Sequence, residues 1–131
     1  MKRPEEALQL AVVEWLALEL APPAVFWATI NQRGTRRPWE QRLLRALGLR
    51  AGVPDLWVLA DGLLLGVELK APAPLLKSGR PSRAQPRLGE GQKEFLPQLE
   101  AAGAKIEICR SLEEVRSALM RWSVPLRWRV R

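Results

Sequence analysis

The stretch GVPDLWVLADGLLLGVELK, residues 52–70, holds two apolar runs on either side of Asp61-Gly62. Asp-Gly between apolar runs is the strongest short-range signal for a β-hairpin, which predicts strands over 53–60 and 63–70. A two-residue turn sets the pairing: Ala60 faces Leu63, Val58 faces Leu65 and Asp55 faces Glu68. Strand side chains alternate between faces, so Lys70 shares the face of Glu68. An otherwise oily hairpin thus collects two acids and a lysine at one end.

Directly facing side chains have Cβ atoms roughly 4.5–5.5 Å apart. Two carboxylates so placed repel, and burial raises the pKa of at least one. A hard cation would compensate, because Mg²⁺ takes carboxylate oxygens and keeps several waters. Lys70 could then orient or deprotonate a water beside the metal, or offset phosphate charge. The spacing equally allows Lys70 an ordinary ion pair with Asp55 or Glu68 at a solvated strand end.

Composition narrows the chemistry. The chain has 131 residues, 47% hydrophobic and 27% charged, which fits one soluble globular domain over 1–131 with a basic, aromatic tail at 123–131. No apolar run approaches the roughly 20 residues needed to span a bilayer. The opening MKRPEEALQL has acids where a signal peptide would be apolar, so a cytoplasmic protein is expected. The single cysteine, Cys109, excludes an internal disulfide and reads as a small buried hydrophobe. There is no histidine, which removes Ser-His-Asp and Cys-His catalysis and the usual zinc sites. Lys and Arg number 21 against 14 acids, for a net charge of +7 that suits a polyanion such as nucleic acid.

The flanking segments supply the other elements. Residues 4–20 predict a helix, with Pro4 in its first turn, Glu5 and Glu6 at its positive end and Pro22-Pro23 as its stop. Leu8, Ala11, Val12, Trp15 and Leu18 or Glu19 are its inward stripe. Residues 24–30 predict a short strand, and Pro38 opens a short helix ending near Gly48. From Asn31 to Arg50 there are six arginines and one acid, Glu40. Residues 71–91 show no period and carry Lys77, Arg80, Arg83 and Arg87 against Glu90; so long a loop is usually functional or disordered. Residues 92–102 predict a helix closed by Gly103 and blemished by Pro97. Residues 104–110 predict a strand, and Ser111 with Glu114 caps a last helix to about Trp122. The order α-β-α-β-β-α-β-α indicates an α/β domain with a small mixed sheet flanked by helices.

Pro54-Asp55 followed by Glu68-Leu69-Lys70 on the next strand resembles the PD-(D/E)XK nuclease motif. Several ordered segments over roughly residues 5–119 resemble its VRR-NUC branch. These are EEALQLAVVEWL, with Glu5 and Gln9 as a Glu-x-x-x-Gln pair; INQRG; ALGLRAGVPDLWVL; GVELKAP; and GQKEFLPQLEAAGAKIEICRSLEEV. The resemblance implies a restriction-endonuclease-like core and a metal-dependent DNA endonuclease. Its expected targets are branched, flap or Holliday-junction DNA in replication, repair or recombination. It further implies that Asp55 and Glu68, with the Leu69 backbone carbonyl, bind Mg²⁺ or Mn²⁺ and that Lys70 activates the attacking water. Glu5 would approach the metal directly or through water, with Glu6 as the adjacent alternative. Gln92 would lie by the active site; a glutamine bonding its own helix start is the plain alternative, and Ser82-x-x-Gln85 is a rival motif.

DNA phosphates are expected at Gln9, Asn31, Arg33, Arg36, Arg37 and Arg50, and at Lys77, Arg80, Arg83 and Arg87 in the loop. Members this small are expected as homodimers, with two sites for two strands. Trp15 and Trp57 read as core. Trp39 and Trp128, flanked by arginines, could stack on bases or brace a partner subunit. Two other readings stand beside this one: a restriction or phage-defence nuclease on linear duplex, and a non-catalytic DNA-binding module with the same fold.

Overall fold

In a computed structural model that describes residues 3–29 and 37–127, the Asp61-Gly62 turn closes a hairpin between β2 (Leu56–Ala60) and β3 (Leu63–Leu69). Asp61 and Gly62 take φ of 47° and 78°, the left-handed backbone that a two-residue hairpin turn with strand-matched twist requires. The register pairs Ala60 with Leu63, Val58 with Leu65 and Leu56 with Val67. β1 (Val25–Ala28) adds antiparallel to β2, and β4 (Lys105–Cys109) adds parallel to β3, for a sheet order β1-β2-β3-β4. A parallel neighbour needs a long crossover. Here it contains α3 (Glu90–Ala101). The remaining helices are α1 (Pro4–Glu19), α2 (Pro38–Ala46) and α4 (Leu112–Arg121). The described elements run α-β-α-β-β-α-β-α.

The pleat divides the sheet chemically. Leu56, Val58, Ala60, Leu65, Val67, Leu69 and Cys109 form one face, packed on Val12 and Leu16 of α1 and Val115, Ala118 and Leu119 of α4. The opposite face carries Trp57, Gly66 and Glu68 and lies towards α3, whose buried Leu96 stands outside that core. Gly66 is glycine for space: a Cβ there would stand 2.8 Å from Pro54 Cγ and 3.0 Å from both Ile106 Cδ1 and Trp57 Cζ3.

Three sequence expectations change in detail. The inward stripe of α1 runs through Leu8, Val12 and Leu16, while Leu18 points out and is 66% exposed. α3 starts at Glu90, two residues early, because Gln92 at its third position accepts a hydrogen bond from the Gly89 N–H. As expected, the helix continues through Pro97. The loop after β3 is not structureless: Leu75 bridges Pro81 in a small hairpin.

The tail also enters the core as far as it is described. Ala21 N–H donates to the Pro125 carbonyl at 3.0 Å, Leu20 bridges Leu126, and Val124 and Leu126 are fully buried. Trp128 lies outside the described residues. Leu126→Ala is expected to cost about 2–4 kcal/mol in urea unfolding, because it leaves a cavity between α1 and α4 rather than a trimmed terminus.

Candidate active site

Asp55 stands one residue before β2, where both its backbone and its side chain are held. Its carbonyl accepts from the Thr29 N–H at 2.9 Å, extending the β1–β2 pairing. Its Oδ2 accepts from the Leu69 N–H at 2.8 Å, across the hairpin. This bond replaces the next rung of the ladder and draws the carboxylate to the end of β3, beside Glu68. Asp55 and Glu68 are 2% and 3% exposed, so both acids are in the protein interior.

Lys70 closes the cluster. Its backbone N–H donates to the Cys109 carbonyl at 2.9 Å, which fixes the residue where β3 ends. Its Nζ lies 3.2 Å from Glu68 Oε2 and donates to Gln92 Oε1 at 2.9 Å. The same Gln92 oxygen accepts from the Gly89 N–H at 3.0 Å. The one oxygen makes both contacts: one lone pair caps its own helix and the other accepts from Lys70. Gln85 of the rival motif is exposed.

Two glycines that the sequence reading passed over make this contact possible. Gly52 takes φ +89°, and a Cβ on it would stand 2.3 Å from the Gly91 carbonyl oxygen and 2.6 Å from the Gln92 nitrogen. A Cβ on Gly91 would stand 2.7 Å from Ala51 Cβ. The first turn of α3 thus lies backbone against backbone on the segment leading to Asp55. Their signal was visible as glycines three residues before Asp55 and one before Gln92.

The electrostatics follow from this packing. Burial and, next, the Asp55 charge push the Glu68 carboxyl up from 4.5 to about 6, against the pull of Gln92 and Lys70. Glu68 Oε1 is buried with no hydrogen-bond partner among the described residues. A buried acceptor left so costs about 1–3 kcal/mol or more for a charged group. A hard cation would satisfy it, and the donor set fits: two carboxylates, with the rest of the shell left to water and substrate oxygens. Among the described residues no third His, Cys, Asp or Glu joins the pair.

Glu5 and Gln9 continue the inward stripe of Val12 and Leu16 at helical spacing, and both are half-buried, while Glu6 is exposed. Of the two first-turn acids, Glu5 is therefore the one on the inward side of the helix. Arg37 is exposed at the start of α2, and Arg50 stacks its guanidinium on the half-buried Phe95 of α3 at 4.2 Å. Lys77, Arg80, Arg83 and Arg87 are exposed along the loop after Lys70. Asn31, Arg33 and Arg36 lie outside the described residues. Trp57 is buried, Trp15 packs on the core and Trp39 is 54% exposed.

No protein-family model matches this sequence, and no curated protein matches it. A solved structure described as a VRR_NUC domain protein superposes with a TM-score of 0.59 at 16% identity, covering 95% of this chain and 93% of that one. The likeness is one of fold, and it spans the α/β core and the helices on both sides of it.

Because the folded pKa of Glu68 is raised, the sign of its contribution is set. Its stability is full below the ordinary value of 4.5 and is lost as pH rises through about 6. Glu68→Gln is therefore expected to raise the melting temperature of the protein in EDTA at pH 8. The gain should shrink as pH falls to 5, which differential scanning fluorimetry at the two pH values would read.

Proposed function

We propose that this protein is a divalent-metal-dependent DNA endonuclease of the VRR-NUC type, acting on branched or otherwise structured DNA. The observation that carries the reading is the buried Asp55–Glu68 pair, with Lys70 bonded to Glu68 and an unpartnered oxygen on Glu68. Interior acids of this kind destabilise a fold, and a metal-assisted site gives them a use. The net charge of +7 and the shared fold point the same way.

Asp55 and Glu68, with the Leu69 carbonyl, would hold Mg²⁺ or Mn²⁺. When bound, the ion would acidify a water and neutralise charge on the phosphate under attack. The protein side is supplied by this chain. The Leu69 N–H fixes the rotamer of Asp55. Gln92 and Glu68 hold the Lys70 ammonium at the mouth of the pair, where it can orient the attacking water and offset developing negative charge. Glu5 would steady a water from the α1 side. The arginines around Arg37 and Arg50 and the cations of the loop would contact phosphates, giving affinity without base reading.

We further read the protein as a homodimer. α2 buries none of its residues, and Trp39, Leu43 and Leu47 leave an apolar stripe 54%, 49% and 72% exposed. A nine-residue helix is marginal in water without a packing partner. A second copy covering the stripe would stabilise it and bring two sites to two strands.

Cleavage of end-labelled single-strand, duplex, flap and four-way-junction DNA tests the first reading. Cutting is expected with Mg²⁺ or Mn²⁺, none in EDTA, and at least about a hundred-fold less for Asp55→Ala or Lys70→Ala. Salt-sensitive binding with no cutting of any substrate would instead indicate a binding module. For the dimer, Leu43→Glu with Leu47→Glu is expected to convert a dimeric mass to a monomeric one in light scattering, with a helical signal in circular dichroism reduced by no more than the one short helix α2.

A further inference from the structure

The segment between Lys70 and α3 is long, and its charge is one-sided. From Ala71 to Gly89 it has four basic side chains and no acidic one. A mobile loop of this composition would lose much backbone entropy on gripping a substrate. This one is already folded. Leu76 N–H donates to the Arg80 carbonyl at 2.7 Å, Gly79 N–H to the Leu76 carbonyl at 2.8 Å, and Ser82 N–H to the Pro74 carbonyl at 2.8 Å. Gly79 at φ +84° makes the turn, which places Lys77 and Arg80 on either side of the tip.

The arm is fastened by one residue that plays no part in the metal site. Arg110 Nε donates to the Ala71 carbonyl at 2.9 Å, and Arg110 Nη1 donates to the Ala84 carbonyl at 3.0 Å. The two acceptors are thirteen residues apart, one before and one after the hairpin. A planar guanidinium can span two such carbonyls; a lysine ammonium is a point donor and holds one. Bonds from a cationic donor are also stronger than neutral ones. Arg110 is itself well anchored. It directly follows β4, whose Cys109 carbonyl takes the Lys70 N–H, and its own N–H donates to Glu114 Oε1 at 3.2 Å.

We propose that Arg110 is a positioning residue: its two-carbonyl clamp holds the 74–82 hairpin as a preformed, phosphate-gripping arm rooted beside Lys70. The proposal rests on the nuclease reading above. The clamp ties Ala71, next in chain to Lys70, so the arm and the catalytic lysine share one rigid base. Lys77 and Arg80 then meet the phosphate backbone without the ordering cost of a free loop. Arg110 acts through them and does not itself touch the substrate.

The test is a double-mutant cycle on the full chain with labelled flap and duplex DNA, with Ca²⁺ for binding and Mg²⁺ for cleavage. Arg110→Ala is expected to weaken binding roughly ten-fold and to raise KM in step, with kcat kept within about two-fold. Lys77→Ala with Arg80→Ala should weaken binding similarly and flatten the salt dependence, and adding Arg110→Ala to that pair should cost little more. Arg110→Lys should not restore binding. Hydrogen exchange at the Leu76, Gly79 and Ser82 amides should speed up in Arg110→Ala and not in the tip double variant. Additive losses would mean that Arg110 contacts DNA itself and would overturn the proposal, as would unchanged exchange. If the wild type binds and cuts DNA while Arg110→Ala behaves like it, the clamp fails and the nuclease reading stands. If the wild type neither binds nor cuts, both fall.

Discussion

The two-residue turn at Asp61-Gly62 decides which face of β3 is oily and which is charged. Strand side chains alternate, so a slip of one residue would carry Glu68 into the layer of Leu65, Val67 and Leu69 beneath α1 and α4. Burying an ion there, away from Gln92 and with the Lys70 charge carried into the same apolar layer, would cost more than the hairpin could return. The apolar face in turn depends on the register, because only one alignment sets Leu56, Val58 and Ala60 beside Val67, Leu65 and Leu63. The core and the site are two sides of one pairing constraint. The site could not be moved along the strand without unmaking the core.

That constraint is local, and so it was legible in the sequence. Asp-Gly between apolar runs gave the turn, period-2 alternation gave the faces, and Pro4, Pro38 and the Ser111 cap gave three helix starts. The cluster of Asp55, Glu68 and Lys70 follows from register alone. Gln92 has Phe95, Leu96 and Leu99 at helical spacing after it, and the structure has it buried and bonded to Lys70. The family resemblance added the expected role of each residue, and the structural likeness supports its fold.

What escaped the sequence depends on pairs of segments far apart in the chain. Gly52 and Gly91 read singly as loop punctuation. Their meaning is a shared clearance, since a Cβ on either would collide with the backbone or Cβ of the other's segment. Arg110 is the last residue of a predicted strand, and no period links it to the carbonyls of Ala71 and Ala84. The tail looked like a basic extra because Val124 and Leu126 are too few to show a period, yet the pairing of Ala21 with Pro125 brings both into the core.

The distribution of charge separates rigid from peripheral parts. On the α1–α4 face, burial pushes the Cys109 thiol up to about 12, so it stays neutral and inert. On the opposite face, at similar depth, Glu68 is pushed only to about 6, because Lys70 and Gln92 offset part of the burial and of the repulsion from Asp55. The same sheet therefore silences one titratable group and keeps another able to carry charge. The excess positive charge sits elsewhere: the segment 71–89 holds four cations and no acid, of a net +7 for the whole chain. These cations are exposed, so water screens their cost to the fold. The charges of the candidate site are held on strand ends, where packing on both sides of the sheet fixes their geometry.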